Sequence, residues 1–294
     1  MTYISFWQIA MRLSFLWLIG VEASKRKKTK VGTDIHLKDT YHPWSEDVED
    51  TPSSSQHIVG EYMLSAIKGG DSIDTAIEKL EAFSTSKHLG LTLGNAKGQI
   101  IEEAIANNIS GEHDSYVFIE LGSHIGDGTL RILRQLNTAS RPFKNCVVLS
   151  LEANQEWLGI GSNIVRHVVR NGGCRYVPMA LTDDVTHIMT HIKHLIKAEL
   201  NIESVSGVFL DHNHAKFNRD ISIMHEEGLL REGTLIIADN ALRHKKVMNN
   251  FIEDMRRTGK NFKLVPVSDP YPDEILLVEW NKPNISNQHD SGEL

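Results

Sequence analysis

Two short stretches of this chain end in oxygen donors that could share a cation. The first, residues 207–214, reads Gly-Val-Phe-Leu-Asp-His-Asn-His and closes an apolar run on Asp211. The second, residues 235–240, reads Leu-Ile-Ile-Ala-Asp-Asn and closes on Asp239 and Asn240. Two buried strands ending side by side would bring Asp211, Asp239 and Asn240 to one point. Three oxygen side chains without a cysteine suit a magnesium-like cation, which prefers hard ligands and keeps several waters or substrate oxygens. Taken singly, either stretch also fits ordinary polar residues at a strand end.

Another constellation lies upstream. The run Glu120-Leu-Gly-Ser-His-Ile-Gly-Asp-Gly closes an apolar segment and leads into helical sequence. Gly122, Gly126 and Gly128 let the backbone turn sharply and approach a ligand closely. Their spacing is not Gly-x-Gly-x-x-Gly, which disfavours a nicotinamide enzyme. The next apolar run ends in Glu152, placed to accept hydrogen bonds from ribose hydroxyls. A glycine-rich first turn and an acidic second strand end, without a phosphate signature, suit a nucleoside ligand such as S-adenosylmethionine.

These residues need a scaffold that gathers strand ends. From residue 116 onward, apolar runs at 116–121, 146–152, 176–179, 205–211, 234–238, 262–267 and 275–280 predict strands. Amphipathic stretches at 129–136, 155–170, 185–200, 218–230 and 246–257 predict the helices between them. Upstream, 58–84 reads as two helices broken at Gly69-Gly-Asp-Ser, and 98–107 as a third. The pattern predicts an α/β fold with a seven-stranded, mostly parallel sheet and helices on both faces. Only a proline-containing turn joins the last two strands, so they should pair antiparallel. Ligands of such sheets bind beyond the carboxyl ends of the strands, where Glu120, Glu152, Asp211 and Asp239 would gather.

The 294-residue chain accommodates one large domain with tails, and its net charge of −7 argues against a nucleic-acid partner. Residues 1–23 form a membrane anchor or signal segment, because the apolar run 4–21 is just long enough to cross a bilayer and also resembles a cleavable leader. The basic cluster from Lys25 to Lys28 favours an anchor with a cytoplasmic catalytic domain; secretion after cleavage is the alternative. A charged linker (24–57), a catalytic domain (58–281) and a polar tail (282–294) follow. Two cysteines make no disulfide framework, and Cys146, opening an apolar run, reads as a small buried hydrophobe.

Over residues 58–280 the sequence resembles the catechol O-methyltransferases and their transmembrane relatives. The matching stretches are Gly94-Asn-Ala-Lys-Gly-Gln-Ile, Glu120-Leu-Gly, Leu151-Glu-Ala-Asn, Val208-Phe-Leu-Asp-His, Gly228-Leu-Leu-Arg-Glu-Gly-Thr and Ala238-Asp-Asn, in the family's order and spacing. The resemblance implies a Rossmann-like class I methyltransferase fold and transfer of a methyl group from S-adenosylmethionine to a hydroxyl of a Mg2+-chelated catechol or related diphenol. It implies Asp211, Asp239 and Asn240 as metal ligands. Leu93, Glu120, Gly128, Glu152 and Asp211 fall at positions that contact S-adenosylmethionine, with Gly122 in the same turn. Asn240 would also touch the acceptor, and Asp269 falls near a carboxylate that orients the catechol ring.

The chain departs from the family where a lysine base follows a tryptophan, for here those positions hold Asn213 and His214. A histidine with an ordinary pKa near 6.5 is mostly neutral at pH 7 and could take the proton and contact the acceptor. Lys216 is the fallback. The same departure fits a second reading, a catalytically weak methyltransferase-like membrane protein acting as a binding or trafficking partner; a caffeoyl ester acceptor is a third. His187, His191 and His194 recur on one helix face at a spacing that could bind zinc, though such a face is more often simply polar. Asn108 and Asn284 open Asn-Ile-Ser sequons that matter only in a lumenal domain.

Overall fold

Alternation along the first strand, β1 (Ser115–Leu121), divides the interior into two layers. Val117, Ile119 and Leu121 enter one apolar cluster, while Tyr116 and Phe118 enter the other, as a two-residue period requires. The computed structural model describes residues 54–89, 92–109, 115–138, 145–169, 173–268 and 272–281. The predicted membrane or signal segment, the linker as far as residue 53, the polar tail, Asn284 and Asp269 lie outside the described residues.

Among the described residues three helices precede β1: α1 (Ser54–Ala66), α2 (Ile73–Ser86) and α3 (Gly94–Asn108). Then come α4 (Asp127–Asn137), β2 (Asn145–Glu152), α5 (Gln155–Val168), β3 (Arg175–Ala180), α6 (Val185–Leu200) and β4 (Gly207–Leu210). The chain continues with α7 (Phe217–Glu226), β5 (Leu235–Ala238), α8 (Lys245–Thr258), β6 (Lys260–Val267) and β7 (Asp273–Glu279). The strands form one sheet in the order β3-β2-β1-β4-β5-β7-β6, with β7 antiparallel to both neighbours and the other pairs parallel. The fold read from the sequence is therefore found, including the antiparallel terminal strand. Chain order reverses between β1 and β4, which opens a crevice beyond their carboxyl ends.

Helices α6, α7 and α8 cover one face of the sheet through residues such as Ile192, Phe217 and Phe251. Helices α1 to α5 supply Met63, Leu80, Ile101, Leu130 and Ile164 to the other. Local signals start several of them. Ser72 caps α2 by accepting from the Thr75 amide at 3.1 Å, and Asn154 caps α5 by accepting from Glu156 and Trp157. Between α2, α3 and α4 lies a fully buried Arg131, whose guanidinium bonds Glu81, Glu102 at 3.4 Å and Asp127 at 3.2 Å. A Cβ on Gly98 would overlap that guanidinium, so the glycine in Lys97-Gly98 makes room for it. Arg131 also anchors the turn that follows β1, because Asp127 accepts from the Leu93 amide at 2.8 Å.

The cysteines correct one expectation. Cys146 is not a free hydrophobe but is bonded to Cys174, with a Cα–Cα separation of 4.5 Å across 28 residues. The parallel register pairs Val147 with Arg175, so the preceding residues face each other at the edge of the sheet. His187, His191 and His194 lie on the exposed face of α6, and the described residues hold no cluster of three or more His, Cys, Asp or Glu fit for a metal. Asn108 is engaged in the fold, accepting from the Tyr116 hydroxyl at 2.7 Å. Among the described residues no helix is long and apolar enough to cross a membrane.

Replacing both Cys146 and Cys174 by alanine should lower stability by about 3–4 kcal/mol, the loop-closure effect of a crosslink over about 28 residues. Urea unfolding of the oxidised wild type beside the double variant measures it; an unchanged midpoint would contradict a stabilising bond.

Candidate active site

Close backbone approach shapes the crevice first. Gly122 follows β1 with φ +94°, and its amide donates to the Leu151 carbonyl at 2.8 Å. A Cβ there would run into the Asp211 carbonyl, so glycine allows the β1 and β4 ends to lie together. The Asp211 amide in turn donates to Leu121 at 2.9 Å, extending the ladder to the residue that turns into the crevice.

One side of the crevice is a pair of carboxylates. Glu120 is fully buried, and one of its oxygens accepts from the hydroxyls of Thr129 and Ser150, the latter at 2.7 Å. The other, Oε1, has no hydrogen-bond partner among the described residues and lies against Gly128, where a Cβ would overlap it. Burial pushes the Glu120 carboxyl up to about 7, opposed by the two hydroxyls and reinforced by Asp127 and Glu152. Glu152, at the end of β2, accepts from the amides of His124 at 2.7 Å and Asn154 at 2.9 Å, which aims its carboxylate at the same turn. Leu93 sits at the start of α3, with its amide committed to Asp127.

The other side gathers the expected cation ligands. Asn240 adopts φ +59°, and its Nδ2 donates to Asp211 Oδ1 at 3.4 Å. Asp239 is buried, and its Oδ1 accepts the Asn240 amide at 2.7 Å. Burial and the charge of Asp239 hold the Asp211 carboxyl well above its ordinary range; burial likewise raises Asp239, opposed by Lys97. Two carboxylates and an amide carbonyl are a hard donor set able to hold a divalent cation.

Sequence reasoning missed Lys97. From α3 its ammonium reaches Asp239 Oδ1 at 2.8 Å, Asn240 Oδ1 at 2.8 Å and Asp273 Oδ2 at 2.7 Å, with the side chain 8% exposed. Asp273, at the first position of β7, also meets the Arg243 side chain at 3.5 Å. The only trace of Lys97 in the sequence is its place in the Gly94-Asn-Ala-Lys-Gly stretch, which by itself does not say where the ammonium goes. Asp273 lies four positions after Asp269, the residue expected in its region.

His214 opens a short 3-10 turn whose first amide bond is capped by Asn213, accepting from Ala215 at 3.1 Å. Its ring stacks on His244 with centroids 3.9 Å apart and lies beside Phe217. Its Nε2 is buried without a hydrogen-bond partner among the described residues. Burial, then the His244 and His212 rings, pull its pKa down to about 3. His214 is thus held neutral and is far less basic than the ordinary histidine the sequence suggested. Lys216, the fallback base, points instead to Asp183 at 3.3 Å in an exposed pair. His212 is locked by a 2.7 Å bond between Nε2 and Asp220.

A reversed-order parallel sheet with glycine-rich and acidic strand ends at its switch point is the Rossmann-like fold of class I S-adenosylmethionine-dependent methyltransferases. The sequence is similar to the catechol O-methyltransferases of Bos taurus (26% identity over 193 residues, 65% of this chain and 62% of that protein) and Mus musculus (26% over 178 residues, 60% and 58%). The chain thus matches about six tenths of the length of these relatives. No protein-family model matches it. An O-methyltransferase from Bacillus cereus superposes with a TM-score of 0.52 at 17% identity, covering 76% of this chain and 97% of that one. TomG, an O-methyltransferase from Streptomyces achromogenes, superposes with a TM-score of 0.53 at 12% identity, covering 79% and 100%.

The depressed pKa of His214 links stability to pH. The unfolded chain protonates this ring below about 6.5 while the folded chain does so only near 3, so His214 should make stability fall as pH drops through that window. His214→Phe should shrink the difference in urea midpoint between about pH 7.5 and about pH 5, while the Glu120 contribution, present in both proteins, cancels. An equal difference in wild type and variant would contradict a buried neutral ring.

Proposed function

We propose that this chain is an S-adenosylmethionine-dependent O-methyltransferase whose acceptor is a catechol or a related vicinal diphenol, with Mg2+ as its cation. The observation that carries the reading is the convergence of Glu120, Glu152, Asp211, Asp239 and Asn240 on one crevice at the β1–β4 switch point. So many buried carboxylates favour ligands that bring positive charge, and a sulfonium donor and a divalent cation both do so. The tether proposed for residues 1–23 belongs to the same reading.

The residues suit both groups. Glu120 Oε1 is a buried acceptor in want of a donor among the described residues, and Gly128 makes room for it in the turn. Glu152 would offer its carboxylate to the vicinal ribose hydroxyls of the cofactor. Asp211, Asp239 and Asn240 would hold the cation, which when bound acidifies and orients two adjacent hydroxyls.

The chain then has only to align donor and acceptor for an in-line displacement, with no covalent enzyme intermediate. In that step the acceptor oxygen bonds the methyl carbon as the carbon–sulfur bond breaks, leaving a neutral thioether. The hydroxyl proton is assigned to the imidazole of His214, which is neutral before the step at neutral pH. A ring this weakly basic takes a proton only from a hydroxyl already made acidic, so its use as a base depends on the cation site. The His214–His244 stack would form one flat wall for an aromatic acceptor.

The full-length chain should methylate a catechol with S-adenosylmethionine and Mg2+, and Asp211→Ala should lower the rate at least about a hundredfold. Turnover that survives chelation of divalent cations would sink the cation's role. Cofactor binding without turnover across a panel of diphenols and caffeoyl esters would point instead to a non-catalytic binding protein.

A further inference from the structure

We propose that the Lys97 ammonium is a tethered cation that occupies the donors of the metal site, and that a divalent cation must displace it from Asp239 and Asn240 to bind. The inference rests on the assignment of Asp211, Asp239 and Asn240 as cation ligands, and it adds what controls their occupancy.

The geometry points to competition. An ammonium has three N–H donors, and those of Lys97 are matched by Asp239, Asn240 and Asp273 at 2.7–2.8 Å. Two of these three acceptors are ligands a divalent cation would need. Asn240 Oδ1 is the amide's only acceptor atom, and the 2.8 Å bond from Lys97 takes one of its two lone pairs. Both oxygens of Asp239 lie within reach of the ammonium, at 2.8 Å and 3.1 Å, while Oδ1 also accepts the Asn240 amide. Asp211 alone among the three is not bonded to Lys97 in this arrangement. A divalent ion entering beside Asp211 would share two acceptors with the ammonium in a buried crevice, where like charges repel most strongly.

The fold supplies a place for the ammonium to retreat. Asp273 is 1% exposed and accepts from Lys97 at 2.7 Å, so the lysine keeps a partner after releasing the other two. Asp273 is not itself needed by the incoming ion, and Arg243 already steadies it.

Removing the charge discriminates displacement from simple support. Lys97→Met removes the ammonium, and Lys97→Gln keeps a hydrogen-bond donor, on a side chain one bond shorter, without its charge. Mn2+ binding to the full-length proteins, read as loss of the free-ion electron paramagnetic resonance signal without cofactor or acceptor, should be about tenfold tighter in both variants. Circular dichroism confirms that each variant is folded, and the glutamine variant serves if the methionine variant is not. Equal or weaker binding in a folded variant, with Mn2+ binding in wild type, would overturn the displacement and leave the metal site standing. Binding by the variants but not by wild type would support a lysine that excludes the ion and would remove Mg2+ from the function proposed for the wild-type chain. Absence of binding in all three proteins would remove both.

Discussion

One buried ammonium holds the working end of this domain together. Lys97 projects from α3 into three acceptors contributed by the end of β5 and the start of β7, elements that meet only in the folded chain. The next residue, Gly98, accommodates Arg131, which satisfies carboxylates on α2, α3 and α4. The helices that precede the sheet in sequence are thereby fastened to it by charge as well as by apolar packing. Such networks are stabilising mainly in the sense that they are costly to break. Removing one member strands its partners in a dry environment, an effect of about 3–5 kcal/mol for a buried pair.

That constraint also explains the electrical character of the crevice. Lys97 and Arg243 together bring two positive charges to Asp239 and Asp273, while burial and the charge of Asp239 raise the neighbouring Asp211 carboxyl. Carboxyls in this position are raised by burial and by one another, which leaves them best stabilised by a cationic ligand. The neighbouring histidines behave in the opposite sense. His214 is kept neutral by burial beside two other imidazoles, so its lone pair is available but weak. The carboxyls attract cations while His214 offers a neutral acceptor.

Much of this was legible in the sequence because it is written in local periods. The seven strands are short apolar runs bounded by polar residues, and the helices between them carry the 3.6-residue pattern, so the layers and the crevice follow from connectivity rules. The acidic residues could be assigned to strand ends because each interrupts an apolar run. The disulfide was not legible, since Cys146 and Cys174 become neighbours only through the register of β2 on β3. Lys97 was hidden for a related reason: a lysine on an amphipathic helix ordinarily faces water, and nothing within α3 indicates three acceptors waiting 142 to 176 residues away.

The sequence by itself determined the fold class, the antiparallel terminal strand and the gathering of Glu120, Glu152, Asp211, Asp239 and Asn240, because a parallel sheet sends every strand end to the same edge. Only the tertiary structure decided what each of these groups faces. It set an ammonium on the expected cation ligands and left Glu120 Oε1 without a donor among the described residues. It also drew Lys216 away to Asp183 and lowered the basicity of His214. Local pattern places a residue on an element, but its partners and its burial come from how distant elements pack, and those two things set its charge.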